Sequence, residues 1–127
     1  MEMNAEVSFQ RLPEDFQVLI LQILESCGML LKEDQLDAMR LPIKTLSTTV
    51  FPEVPIVTPD DDRDLSYAEA MVGQNFPPIL VCGKQWIDGR HRVWALRKMK
   101  VKTVNCIDLE SLVGWYPFPQ IATLNPT

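Results

Sequence analysis

The stretch Trp86-Ile87-Asp88-Gly89-Arg90-His91-Arg92-Val93-Trp94-Ala95-Leu96-Arg97-Lys98 decides how this chain is read. It holds the only histidine, two of the three tryptophans and four of the twelve Lys and Arg residues. Its pattern passes from β-forming residues through an Asp-Gly turn into helical spacing, with Val93, Leu96 and Met99 on one face of a helix over about 91–100. A helix N-terminus presents unpaired backbone N–H groups and the positive end of the helix dipole, so a glycine turn followed by Arg90, His91 and Arg92 is a candidate anion site.

Each residue of the turn has its own chemistry. Arg92 is suited to clamp a phosphate through two parallel N–H donors, and His91 can act as a second donor or carry a proton. Asp88 could be a general base, could ligate Mg²⁺, or could pair with an arginine. Arg90, Arg97, Lys98, Lys100 and Lys102 also read as a solvated basic face, since Lys and Arg late in a helix complement its dipole. Trp86 and Trp94 read as core residues.

Working outward, Ile79 to Cys82 is a short apolar run that reads as a buried strand. Gly83-Lys84 turns the chain and Gln85 to Ile87 returns it as a hairpin. Downstream, Thr103 to Leu109 is rich in β-formers and makes the last strand. Upstream, Ser66-Tyr67-Ala68-Glu69 fits a capping box that opens a helix through about Val72. The Thr-rich run Ile43 to Val50 is the first strand, closed by Phe51-Pro52. Asp60, Asp61, Asp62 and Asp64 lack the spacing of a calcium loop and read as a solvated loop.

The N-terminal third is helical. Pro13-Glu14-Asp15 has the proline and acids of a helix start, Phe16, Leu19, Ile20, Ile23, Leu24 and Cys27 recur at helical spacing, and Gly28 ends the run. A short leader precedes this core-facing helix, and a second short helix over Lys32 to Met39 is ended by Pro42. From Gly114 onward, Trp115, Tyr116, Phe118 and three prolines make a non-helical cover over the core or a strap that binds a protein partner. The expected organisation is an N-terminal helical extension (1–40), a core (41–113) and an aromatic, proline-rich tail (114–127).

Composition bounds the function. The 127 residues are enough for one domain with one core, and 46% hydrophobic with 23% charged residues is globular composition. A net charge of −5 disfavours nucleic acid as a partner outside the basic helix. Cys27, Cys82 and Cys106 are odd in number and far apart, which suggests neither a disulfide framework nor a zinc site. Acids at Glu2 and Glu6 do not suit a signal peptide, and no run approaches the ~20 apolar residues of a membrane span, so the expected place is the cytoplasm. P-loop, GxGxxG, HExxH and GxSxG motifs are absent.

The segment from Phe76 to Val104, Phe-Pro-Pro-Ile-Leu-Val-Cys-Gly-Lys-Gln-Trp-Ile-Asp-Gly-Arg-His-Arg-Val-Trp-Ala-Leu-Arg-Lys-Met-Lys-Val-Lys-Thr-Val, resembles the core of the ParB/sulfiredoxin superfamily. Members share a "PPI-V" run before a hairpin, a turn of the D-G-x-H-R or G-x-R-R kind opening a helix with a small residue, here Ala95, and a following strand. The resemblance implies a small α+β domain, a short mixed sheet packed with helices and here extended by an N-terminal helix. It also implies nucleotide phosphates held at Gly89, His91 and Arg92, beside the Arg90 that the turn chemistry adds to the phosphate-binding set, with Asp88 where several branches keep a base or metal partner. Arg90 stands where a sulfiredoxin has its reactive cysteine and a partition CTPase an acid, which directs the resemblance to short plasmid and phage members such as fertility-inhibition proteins.

The expected function is therefore binding of ATP or another nucleoside triphosphate with Mg²⁺. Hydrolysis or phosphoryl transfer would use Asp88 and His91 as catalytic residues and Asp88 as metal ligand. The alternatives are a non-catalytic inhibitory module that meets a protein through the tail, and a ParB-like nuclease.

Overall fold

The computed structural model describes residues 5–54 and 79–126, without the side chains of residues 5, 91 and 95. The expected helix from Ser66 to Val72 and the acidic cluster at Asp60, Asp61, Asp62 and Asp64 lie outside the described residues.

The anchoring strand is β3 (Ile79–Cys82), all four of whose residues are buried, because apolar side chains cover both of its faces. It turns through Gly83 and Lys84 into β4 (Gln85–Asp88), the expected hairpin, with Val81 opposite Trp86 and Cys82 opposite Gln85. On its other side β3 runs parallel to β5 (Thr103–Asp108), and β5 pairs antiparallel with β2 (Arg40–Ser47). Two further strands, β1 (Ala5–Ser8) beside β2 and β6 (Ala122–Thr123) beside β4, complete a six-stranded mixed sheet in the order β1-β2-β5-β3-β4-β6. The protein is thus a small α+β fold.

Side-chain alternation along the strands builds two cores. On one face Ile79, Val81, Trp86, Val104 and Cys106 pack with Val50, Phe51 and Leu124 under α3 (Arg90–Lys98), which contributes Val93 and Leu96. On the other face Leu80, Cys82, Ile107 and Leu109 pack under α1 (Glu14–Ser26), which contributes Phe16, Ile20, Ile23 and Leu24. Both helices close with the same hydrogen-bond pattern. Met29 N–H bonds Leu24 C=O and Gly28 N–H bonds Glu25 C=O, and in α3 Val101 N–H bonds Leu96 C=O and Lys100 N–H bonds Arg97 C=O. The left-handed position is glycine in the first (Gly28, φ 88°) and lysine in the second (Lys100, φ 60°).

The structure departs from the sequence reading at the ends of elements. The leader contains β1, and the first predicted strand begins at Arg40 rather than Ile43. Pro42 is accommodated because it precedes the β2–β5 ladder, which starts at Ile43, so its missing N–H leaves that ladder intact. That strand also stops at Ser47, because Thr48 turns inward to bond the α3–β5 connection: its N–H reaches Lys102 C=O at 2.9 Å and its hydroxyl reaches Val101 C=O at 2.9 Å. The second short helix is confirmed as α2 (Glu33–Ala38), with the Gln35 side chain accepting from Lys32 N–H. A four-residue helix, α4 (Glu110–Val113), precedes the tail.

Candidate functional site

The Asp88-Gly89 turn joins β4 to α3. Gly89 has φ 108°, and a Cβ there would stand 2.5 Å from Cδ1 of the fully buried Ile79, so both conformation and space require glycine. The indole N–H of Trp86 bonds Asp88 C=O at 3.2 Å, and Val93 N–H bonds Gly89 C=O at 2.9 Å as the first helical bond. Arg90, His91 and Arg92 therefore occupy the first turn of α3, whose N–H groups have no partner within the helix. The His91 side chain lies outside the described residues.

The helix then separates the predicted site residues. Arg92 Nη2 donates to Asp88 Oδ2 at 2.8 Å, with the arginine side chain 14% and the aspartate 42% exposed. The same guanidinium stands 5.7 Å from the ring centre of Phe16 in α1. Arg92 thus ties the turn to α1, and of the three roles open to Asp88 the structure shows the ion pair.

Arg90 belongs to a different surface. Residues 90, 93, 94, 97 and 98 share one face of α3, and with Trp86 and Pro52, Glu53 and Val54 opposite they enclose a cleft of about 500 Å³. That volume falls within the usual range for small-molecule sites. Arg97 spans the cleft's base, donating to Thr48 C=O at 2.8 Å and to Phe51 C=O, so it is a structural tie and not part of a solvated face. The Lys98 ammonium sits 4.5 Å from the Trp94 ring centre. Arg90 is exposed, and among the described residues no acid lies within ion-pair distance of it. Glu53 is exposed on the facing wall.

Among the described residues no three His, Cys, Asp or Glu are grouped to hold an ion. Asp88 belongs to no such group among the described residues, and its carboxylate is opposed by Arg92. The buried thiols supply no nucleophile: burial pushes Cys82 up and Cys106 up to about 12, which keeps both protonated at neutral pH.

A second charged centre lies at the far end of the hairpin. Asp108 Oδ1 accepts from Gly83 N–H at 2.8 Å and Glu110 N–H at 3.0 Å, and Oδ2 meets Lys44 Nζ at 3.0 Å. Burial pushes this carboxyl up, but the two N–H donors and the Lys44 ammonium outweigh it and hold the group below the ordinary carboxylate value.

Sequence reading did not find the cleft's outer wall, because Pro52 to Val54 carries no periodicity and its position depends on Arg97 and on the C-terminal segment. That segment is the expected cover: Ile121 N–H bonds Trp86 C=O at 2.8 Å, and Leu124 is buried in the α3-side core. Among the described residues no helix is long and apolar enough to cross a membrane. Comparisons with protein-family models, curated proteins and solved structures find no match to this chain.

Proposed function

We propose that this is a ParB/sulfiredoxin-like domain that binds a nucleotide in the cleft between α3 and Pro52–Val54, with phosphates at the head of α3. The observation that carries the reading is Arg90. It is an exposed guanidinium without an acid partner among the described residues, at the N-terminal end of a helix whose cleft face continues to an indole ring. Trp94 offers a surface for a base, and Arg90 with the first-turn N–H groups offers donors for phosphate. Arg97 keeps the wall in place. The resemblance carried by Phe76 to Val104 supports the same ligand class independently of the cleft.

Hydrolysis or phosphoryl transfer is the catalytic extension of this reading. It requires Asp88 to leave Arg92 and act as base or as partner to an Mg²⁺ brought by the phosphates. The test is a thermal-shift panel of ATP, GTP, CTP and UTP, each with and without Mg²⁺. A bound nucleotide at ~100 Kd adds about 2.7 kcal/mol of stability, and Arg90→Ala removes the shift. No shift with any of the four overturns the reading.

Exposed aromatic residues favour a second reading, a non-catalytic module that meets a protein through its tail. Trp115 is 66% and Phe118 43% exposed, unusual for side chains of that size. If the chain carrying both Trp115→Ala and Phe118→Ala retains every protein that the wild-type chain captures, the tail has no such role.

A further inference from the structure

The wall of the cleft is held from two sides. From beneath, Arg97 of α3 bonds Thr48 C=O and Phe51 C=O. From outside, the C-terminal strap bonds Val50 C=O through Asn125 N–H at 2.7 Å. The strap is itself tied along the hairpin that ends in the Asp88-Gly89 turn. Leu124 N–H bonds Lys84 C=O at 2.7 Å, Ile121 N–H bonds Trp86 C=O at 2.8 Å, and Gln85 holds Tyr116 with Nε2 to its C=O at 2.7 Å and Oε1 from its N–H at 2.8 Å. Gln85 is a buried polar side chain whose amide is used to hold this one backbone unit. Leu124 then packs in one cluster with Val50, Phe51, Trp86 and Val93, while Phe51 meets Trp86 edge-on at 5.0 Å. Trp86 and Val93 also line the cleft.

Resting on the cleft reading above, we propose that the strap regulates that site: its docking on β4 and Val50 sets the distance between the Pro52–Val54 wall and α3. Ligand binding and strap docking then stabilise one another by the same factor, because each favours the closed wall. The strap is suited to such a role. β6 is only two residues long at the edge of the sheet, so its release breaks few ladder bonds while it withdraws Leu124 from the cluster that holds Val50 and Phe51.

The experiment removes one backbone bond. Asn125 is exposed, and Asn125→Pro deletes the N–H that reaches Val50 C=O, while Asn125→Ala retains it. Both are made in the full chain carrying Trp115→Phe. Trp86 is buried, which leaves Trp94 as the accessible emitter for acrylamide quenching. Asn125→Pro is expected to raise quenching of Trp94 and to weaken the tightest-binding of the four triphosphates by about five-fold, the factor for one hydrogen bond, with Asn125→Ala matching the parent. In the wild-type chain the nucleotide should slow amide exchange of residues 121–125, an arm that does not depend on the variant folding. Equal quenching and equal affinity in the two variants, or exchange at 121–125 unchanged by bound nucleotide, overturns the proposal. If no triphosphate binds, the nucleotide reading fails by itself, and quenching alone decides whether the strap sets the wall.

Discussion

The two faces of the sheet are covered by unlike helices. α1 is 13 residues long and sends four side chains fully into its core, supported by Phe9, Leu12, Leu41 and the partly buried Met29, Leu31 and Leu36. α3 is 9 residues long, sends Val93 and Leu96 inward, and turns arginines, a lysine and an indole towards a cleft. A long apolar helix closes its face, whereas a short polar one leaves space that an aromatic pair, a C-terminal strap and an arginine tie only partly fill. The candidate site lies where the covering is thin, and stability rests on the other face. Arg92 links the two, since it pairs with Asp88 at the head of α3 while lying over Phe16 of α1.

The strongest way to break the comparison is to open the well-filled face. Leu24→Ala removes a fully buried side chain from the core beneath α1 and should cost about 2–5 kcal/mol by urea unfolding. Trp94→Ala, at the half-buried cleft wall, should cost clearly less while abolishing nucleotide binding. If Trp94→Ala is the more destabilising of the two, the indole belongs to the core and the division between the faces fails.

Two arginines two residues apart sharpen the same point. Arg92→Ala deletes an ion pair with one largely buried partner and a contact with Phe16, and should cost about 1–2 kcal/mol. Arg90→Ala should change stability by no more than about 0.5 kcal/mol and weaken nucleotide binding. The sequence pattern favours Arg92 as the phosphate clamp, so unfolding measured beside nucleotide titration of both variants separates the roles. Equal stabilities for the two variants would contradict the structural role of Arg92.

This pair also indicates what was legible in the sequence. The hairpin, the glycine turn, the opening of α3 and the core stripe of α1 follow from local chemistry: Gly83-Lys84, Asp88-Gly89, and apolar residues at helical spacing. Which arginine faces the cleft does not. Positions 90 and 92 lie on nearly opposite sides of a helix, and only the direction of Val93 and Leu96 into the sheet, together with Phe16 arriving from α1, determines the outcome. β1 and β6 were illegible for a related reason. Four and two residues carry too little periodicity, and they are strands because β2 and β4 offer them an edge. The same holds for the cleft's outer wall, which is positioned by carbonyls that accept from Arg97 and Asn125.

Acid acts on the hairpin end shared by both faces. Asp108 is held below its ordinary value in the folded chain, so it contributes stability above the ordinary carboxylate pKa and loses it as pH falls through the depressed folded value. Unfolding free energy should therefore fall as pH is lowered below about 4, and Asp108→Asn should flatten that fall. The variant should also loosen Gly83 and Glu110, whose N–H groups share the carboxylate, detectable as faster exchange of those two amides. An unchanged acid slope would place the pH sensitivity elsewhere.

One expected effect on stability has the opposite sign. α1 and α3 end in the same hydrogen-bond motif, but Gly28 takes the left-handed position at the first and Lys100 at the second. An L-residue with a side chain pays a steric cost there that glycine avoids, about 1 kcal/mol. Lys100 is exposed and remote from the Asp88 pair, so Lys100→Gly should raise stability by up to about 1 kcal/mol, in contrast to the losses above. Calorimetry of Lys100→Gly beside Lys100→Ala isolates the backbone effect, because both variants lose the charge at the helix end and only glycine relieves the φ of 60°. If the two melt together, the left-handed residue carries no cost, and the ends of α1 and α3 are energetically alike despite their different residues.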